Sequence, residues 1–355
     1  MKMVQVTTVF TSAFTNTAVQ SQTLQNSTLD MLRDKTLHTA LPVIYLFIFI
    51  ISTPLNLLSF WLLVCDTKPK SPTIIFACNL ALTDVLYSVM LPFQALYHMN
   101  KNNWIFGGAF CRLSTILFFG NMHCSILTMT FISFERYLGI VHPIHTTHLR
   151  TVRIAALTCI FIWLFVLAVH IPLMINDLTF NVTALNITTC FDVLPKTMFP
   201  RKIYFYIYYI FQFVVFFLLP CIIIVCCYIS VIKVLLKNYG TEQRNIKKQT
   251  IYLIIVVLIV FLICYLPNTV LHISHIIYSI KGKTLYVAYK LSLAMNSLNC
   301  CLDPFVYYFG AKEFRRKVKL KLFKCLNDST GDLSTSPLTD QGHTPIALHE
   351  HRQGI

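Results

Sequence analysis

The hydrophobic positions of this chain gather into long, nearly unbroken blocks separated by short polar stretches. Seven blocks run at Leu41–Cys65, Thr73–Tyr97, Gly108–Ile140, Arg153–Ile175, Ile203–Leu235, Lys247–Ile280 and Leu285–Tyr308. Each is long enough to cross a bilayer core of about 30 Å, which takes roughly 20 apolar residues in helical form. In lipid such a segment must be helical, because a single strand would leave its N–H and C=O groups without partners. Seven crossings put the two termini on opposite sides. Beyond Tyr308, residues Ala311–Lys324 place Phe314, Val318, Leu322 and Phe323 on one helical face and cations on the other. That pattern predicts an amphipathic helix along the inner membrane surface. The expected fold is all-α and integral to the membrane: a seven-helix bundle with a short eighth helix.

The remainder divides simply. Residues 1–40, rich in Thr, Ser, Gln and Asn, are expected to be a flexible extracellular tail, residues 41–324 the bundle with its eighth helix, and residues 325–355 a polar, disordered cytosolic tail. Loops are short except Asn176–Lys202, which leaves no room for an inserted enzyme domain. Met1–Phe14 has no continuous apolar core, so the first helix is expected to serve as the targeting signal.

Composition agrees with a membrane location: 56% of the 355 residues are hydrophobic and 12% charged, and the mean hydropathy is +0.65. Sixteen Lys and Arg lie near the odd-to-even connections and the proximal tail, against eleven on the other face, which places the N-terminus outside. The sequons at Asn26, Asn181 and Asn186 fall on that outer face and are candidate glycosylation sites. The net charge of +15 could suggest nucleic acid, but the cations sit at helix ends and in one juxtamembrane run, where anionic membrane lipid is the better partner. No nucleic-acid partner is expected. Eleven of the 13 Cys lie in helices or on the cytosolic side, so only Cys111 and Cys190 face an oxidising compartment and are expected to pair. Cys325, just past the eighth helix, is either a palmitoylation site or a free thiol.

Polar groups inside membrane helices cost several kcal/mol if unsatisfied and therefore mark function. Asp84 and Asp303 each lie mid-helix with no Lys or Arg in register. They invite a cation or shared protons; the plainer reading has them hydrogen-bonded to Asn56, Asn79 or Asn299 as interhelical glue. At the inner end of the third helix stands Glu135-Arg136-Tyr137, followed by Pro143.

These motifs, taken in order, resemble the rhodopsin-like G-protein-coupled receptors across nearly all of residues 41–325. Asn56, Asp84, Cys111, Glu135-Arg136-Tyr137, Trp163, Pro220, Tyr228, Phe261-x-x-Cys264-x-x-Pro267 and Asp303-Pro304-x-x-Tyr307 occupy successive helices, and Trp104-x-Phe106-Gly107 precedes Cys111. The stretches Ser125–Thr130, Thr189–Leu194 and Leu298–Tyr308 are similar to the purinoceptor-type branch. The resemblance implies an extracellular ligand, a heterotrimeric G protein, and arrestin and a receptor kinase acting on Ser329, Thr330, Ser334, Thr335, Ser336 and Thr339. It implies an allosteric sodium ion held by Asp84, Ser125, Asn299 and Asp303, with no other cofactor or metal. Ile126, Pro220 and Phe261 would form a packing switch, with Tyr265 and Pro267 beneath the ligand. Arg136, flanked by Glu135 and Tyr137, would rearrange with Tyr228 and Tyr307. There are departures: Tyr265 replaces the usual Trp or Phe, Glu135 replaces the commoner Asp, and Thr53-Pro54-Leu55-Asn56 lacks the usual Gly. The second disulfide typical of nucleotide receptors has no cysteines to form it.

The outer face carries eleven basic residues against Asp30, Asp34, Asp177 and Asp192, an excess of +7, which favours an anionic ligand. Nucleotide receptors of this kind present cations to phosphates where this chain has Thr115, His272 and Leu293. A bare nucleotide is thereby disfavoured against an anion with a large apolar part, a lipid or a conjugated peptide. His272 is the candidate anion contact, with Arg112, His275 and Lys290 at the rim, Thr115, Phe119 and Asn268 in the pocket, and an aromatic wall from Tyr97, Phe118 and Phe119. The alternative is that these cations only meet water or headgroups.

Rival classes lack their marks. Opsins place their Schiff-base lysine where this chain has Ser297, a transporter should show an internal repeat, and an enzyme needs an activated nucleophile or metal cluster. His142, His145 and His148 lie close together, but no Cys or carboxylate completes a metal set.

Overall fold

The computed structural model describes residues 26–68, 70–193, 199, 201–238, 244–280 and 285–331. The expectations for residues 1–25 and 332–355, including Ser334, Thr335, Ser336 and Thr339, lie outside them. Six long apolar helices run at Lys35–Asp66, Pro72–Met99, Gly108–Val141, Val152–Val169, Ile203–Lys237 and Lys247–His275. A seventh crossing comes in two parts, Tyr286–Asn296 and Asn299–Gly310. The expected uninterrupted seventh helix is thus corrected. Between its halves Leu298 N–H bonds back to Met295 O at 3.0 Å and Cys301 N–H to Leu298 O at 2.9 Å, the i→i−3 pattern of a tightened turn.

Prolines lie at several of the other irregularities. Proline has no N–H to give the i−4 carbonyl, and its ring crowds that carbonyl. Before Pro220 and Pro267 the ladder therefore widens into single π turns, Val214–Leu218 and Phe261–Tyr265, closed by Leu219 N–H to Val214 O and Leu266 N–H to Phe261 O. The second span breaks after Ser88 and resumes at Leu91 with Pro92 in its first turn. Caps set several starts: Thr151 Oγ1 accepts from Ile154 N at 3.3 Å where the fourth span begins.

Two expectations about the ends change. The first helix begins at Lys35 under an Asp34 cap and is preceded by a short helix, Asn26–Leu32, so the segment 26–40 is structured. Leu32 and Leu37 are buried, and Leu32 O accepts from Asn102 Nδ2 at 3.1 Å, which ties this segment to the turn after the second span. At the other end the eighth helix runs Lys312–Gly331, past the expected Lys324 and through the backbone of Cys325, whose side chain lies outside the described set. Phe314 buries beside Tyr307, while Lys317 and Lys321 reach Asp66 at 3.2 and 3.5 Å.

The long loop between the fourth and fifth spans is not wholly irregular. Strands β1 (Thr179–Val182) and β2 (Ile187–Cys190) form an antiparallel hairpin, an addition to the expected all-α fold. Its turn puts Asn186 in the left-handed region, at φ 50°, a conformation asparagine tolerates. Asn181 and Asn186 are both exposed on it. The Cys111–Cys190 disulfide fixes the hairpin to the head of the third span. Around the bundle, Phe47, Ile50, Leu157, Phe161, Leu164, Ile210 and Leu262 point outward, exposed as lipid-facing residues must be, whereas the third span is buried along most of its length.

Candidate ligand cavity and cytosolic switch

The third, fifth and sixth spans enclose a cavity below the hairpin. Its deeper wall is apolar (Met122, Ile126, Phe213, Phe216), and polar groups ring the rest: His123, Gln212, Asn268, Thr269 and His272. His272 lies between two aromatic rings, Tyr209 at 5.0 Å and Tyr289 at 5.2 Å. Phe119 divides this cavity from a shallower recess against the second and seventh spans, bordered by Gln94, Thr115, Phe118 and Lys290. Of the expected ligand residues, Phe119, Asn268 and His272 therefore share the main cavity and Thr115 and Lys290 the recess. Arg112 and His275 border neither, and the His275 ring stacks parallel to Tyr289 at 5.3 Å.

Lys290 is not the free rim cation that its sequence position suggests. It forms an ion pair with Asp192, whose other oxygen accepts from the Tyr97 hydroxyl at 2.7 Å. Asp192 stands two residues after Cys190, so the disulfide delivers it to the mouth of the bundle. Burial opposes its ionisation, but Lys290 and His98, with hydrogen bonds from Lys290 and Tyr97, outweigh burial and hold the carboxyl below the usual carboxylate range. Tyr97 is accordingly a buried support beside Trp104 and no part of the cavity wall.

A histidine pair that sequence reasoning missed lies at one side of the cavity. His170 Nδ1 is 2.7 Å from Val166 O, and His123 Nδ1 is 3.2 Å from His170 Nε2. A carbonyl only accepts, so a neutral His170 carries its proton on Nδ1 and His123 Nδ1–H donates to it, which leaves His123 Nε2 as the remaining acceptor. The signal was present as a histidine in the middle of an apolar helix.

Below the cavity runs a buried polar network. Asp84 accepts from Asn121 Nδ2 at 2.8 Å and from the Tyr307 hydroxyl at 2.9 Å. Neither partner was among the asparagines expected for it: Asn79 is occupied by Thr128 and Trp163, and Asn56 Nδ2 donates to Cys300 O. Asn299 Nδ2 reaches the Tyr265 hydroxyl at 3.2 Å and Asn121 Oδ1 at 3.3 Å. Both carboxylate oxygens of Asp303 and the Ser125 hydroxyl are buried and, among the described residues, have no hydrogen-bond partner. Tyr265 also meets Phe261 edge-on at 5.3 Å, and Phe217 lies 6.4 Å from Phe261, so cavity, π turn and polar network are in direct contact. Ile126 and Pro220 are buried in the same region, and Pro267 is half-buried.

At the end of the bundle opposite the cavity, Arg136 Nε lies 3.3 Å from Glu135 Oε2, and its Nη2 donates to Gly310 O at 2.9 Å and to the Thr73 hydroxyl. Tyr137 reaches His142 Nε2 at 3.1 Å. The Tyr228 hydroxyl is 2.7 Å from that of Ser133, so in this conformation Tyr228 and Tyr307 hold Ser133 and Asp84, and Arg136 is retained by other groups.

A bundle of membrane-length apolar helices with a capped arginine at one end and a cavity at the other is the arrangement of a transmembrane receptor, and comparison with known proteins shows the family. Residues 55–307 match the family described as 7 transmembrane receptor (rhodopsin family). The chain belongs to this family. It is 44% identical over 298 residues to purinoceptor 8 of Gallus gallus, covering 83% of each chain. Against the S-geranylgeranyl-glutathione receptor of Homo sapiens the identity is 41% over 295 residues, covering 83% of this chain and 82% of the relative. Against proteinase-activated receptor 1 of Xenopus laevis it is 38% over 298 residues, covering 84% and 70%. The chain is thus a purinoceptor-like, G-protein-coupled membrane receptor and no enzyme.

Proposed function

We propose that this receptor binds an extracellular anion carrying a long apolar group, with the N-terminus outside the cell, and thereby activates a heterotrimeric G protein. The observation that carries the reading is the cavity itself: an apolar deep wall from Met122 to Phe216, with His272, Gln212 and Asn268 facing it. A ring N–H of His272 donating to a carboxylate would anchor the head, because hydrogen bonds to charged acceptors are stronger than neutral ones. The human relative's name specifies a prenylated glutathione conjugate, a ligand of this chemistry. Phosphate-rich ligands are disfavoured by Thr115 and Leu293 at the matching positions and by the engagement of Lys290 with Asp192.

Asp84, Ser125, Asn299 and Asp303 would hold a sodium ion that favours the inactive arrangement. Support for this comes from the unpartnered Asp303 carboxylate and Ser125 hydroxyl. Arrestin and a receptor kinase would act on the hydroxyls that begin at Ser329.

The reading is tested by G-protein activation in cells expressing the receptor, with S-geranylgeranyl-glutathione, free glutathione and ATP as ligands. Activation by the conjugate alone is expected. Potent activation by ATP, with none by the conjugate, would return the receptor to the nucleotide class.

A further inference from the structure

Glu135 serves two arginines. Its Oε2 lies 3.3 Å from Arg136 Nε and accepts from the Thr73 hydroxyl at 3.2 Å, while its Oε1 accepts from both Nε and Nη2 of Arg150 at 3.4 Å. Glu135 and Arg136 are adjacent on one helix, and side chains at i and i+1 point roughly 100° apart and do not naturally face each other. Their pairing needs the carboxylate to be held toward Arg136 by something outside that pair. Thr73 from the second span does part of this, and the forked contact of Arg150 on the other oxygen does the rest.

Arg150 is itself seated with care. It stands immediately before Thr151, the cap of the fourth span, so its backbone is fixed by a helix start. Its guanidinium lies against Gly139, one helical turn after Glu135: a Cβ at position 139 would come 2.7 Å from Arg150 Cζ and 2.8 Å from Nη2. Any side chain there displaces the guanidinium. Phe131, Phe134, Leu138 and Ile154 line the same groove, shielding the contact on its membrane side.

We propose that Arg150, seated on Gly139, is a positioning residue for the receptor switch. It fixes the Glu135 carboxylate so that Glu135 can retain Arg136, and its departure from Gly139 loosens that hold. The proposal rests on the proposed G-protein activation and on the expected rearrangement of Arg136 that accompanies it.

The test is ligand-independent G-protein activation in full-length receptor, normalised to surface expression. Arg150→Gln should raise basal signalling about two- to five-fold, the scale of a partly exposed ion pair, with maximal signalling unchanged. Arg150→Lys, which keeps the charge but loses the fork, should fall between. Gly139→Val should reproduce the rise with Arg150 still present, and the Gly139→Val/Arg150→Gln double variant should go no higher than either. Because the effect passes through Glu135, Arg150→Gln should add nothing in a Glu135→Gln background. A purely structural role for Arg150 would lower surface expression in every background without this non-additivity. Basal signalling that is unchanged or reduced in both Arg150→Gln and Gly139→Val, or a full additive effect on top of Glu135→Gln, overturns the proposal. Should Arg150→Gln fail to reach the surface, Gly139→Val and Glu135→Gln decide the matter alone. Normal signalling from Arg136→Ala would instead defeat the underlying reading, and so the two failures are distinguishable.

Discussion

The Tyr307 hydroxyl lies 2.9 Å from Asp84 Oδ2, joining the second and seventh spans across a network in which Asp303 has no hydrogen-bond partner among the described residues. If a sodium ion is the missing partner, it must favour the arrangement in which these helices stay together, and a ligand that prefers another arrangement binds against it. Agonist affinity should therefore fall when sodium replaces N-methylglucamine in a binding assay. Asp84→Asn and Asp303→Asn should each abolish that difference. A sodium effect of undiminished size in both variants would remove the ion from this site.

Asp192 and Lys290 form a mostly buried pair, and breaking one half of such a pair leaves the other charge uncompensated. Asp192→Asn should lower the thermal stability of the purified receptor, with a loss on the order of 3–5 kcal/mol as the upper range, and Asp192→Asn/Lys290→Met should recover part of it. The pH dependence has a definite sign. A carboxyl held below its ordinary pKa of about 3.9 contributes stability that is fully present above that value and is lost as pH falls through the lower folded value. Stability measured between pH 8 and 5 should thus show no titration from Asp192. Equal stability of Asp192→Asn and the native receptor would mean that the pair contributes nothing.

The disulfide between Cys111 and Cys190 spans 79 residues. Restricting so long a loop typically contributes about 2–5 kcal/mol, and here it also delivers Asp192 to Lys290. Cys190→Ser should reduce surface expression and ligand binding together. Mass spectrometry of surface receptor should find both native thiols oxidised; finding them free would exclude the bond.

The seven crossings were legible because a bilayer demands apolar runs of a fixed length, and such runs show plainly in sequence. The order of motifs from Asn56 to Tyr307 was legible for the same reason, since a polar residue stands out within an apolar helix. What sequence did not show depends on partners distant along the chain. Asn121 could be seen as a polar residue in the third span, but not as the group that reaches Asp84. Lys290 could be counted as a rim cation, but its capture by Asp192 depends on where the disulfide and the β1–β2 hairpin carry the outer loop. The π turns ahead of Pro220 and Pro267 follow from those prolines, yet their placement reflects how each helix repairs a missing N–H within the bundle.

Desensitisation should depend on the cytosolic end. Phosphate added to Ser329 and Thr330, and to the hydroxyls beyond them, supplies charge that arrestin can bind. A receptor truncated after Cys325 should signal normally on first exposure to ligand and internalise more slowly. Internalisation at the native rate would rule out this tail as the regulatory element.

We expect an anionic head to meet His272 while an apolar group fills the deep cavity. This is tested most directly by the potency of S-geranylgeranyl-glutathione on three receptors: native, His272→Ala and His272→Arg. Loss of a hydrogen bond to a charged group, about 1.5–3 kcal/mol, should weaken potency by roughly ten- to a hundred-fold in His272→Ala. His272→Arg should keep or improve it, and surface expression should be equal in all three. Full potency in His272→Ala would exclude His272 as the anchor of the anionic head.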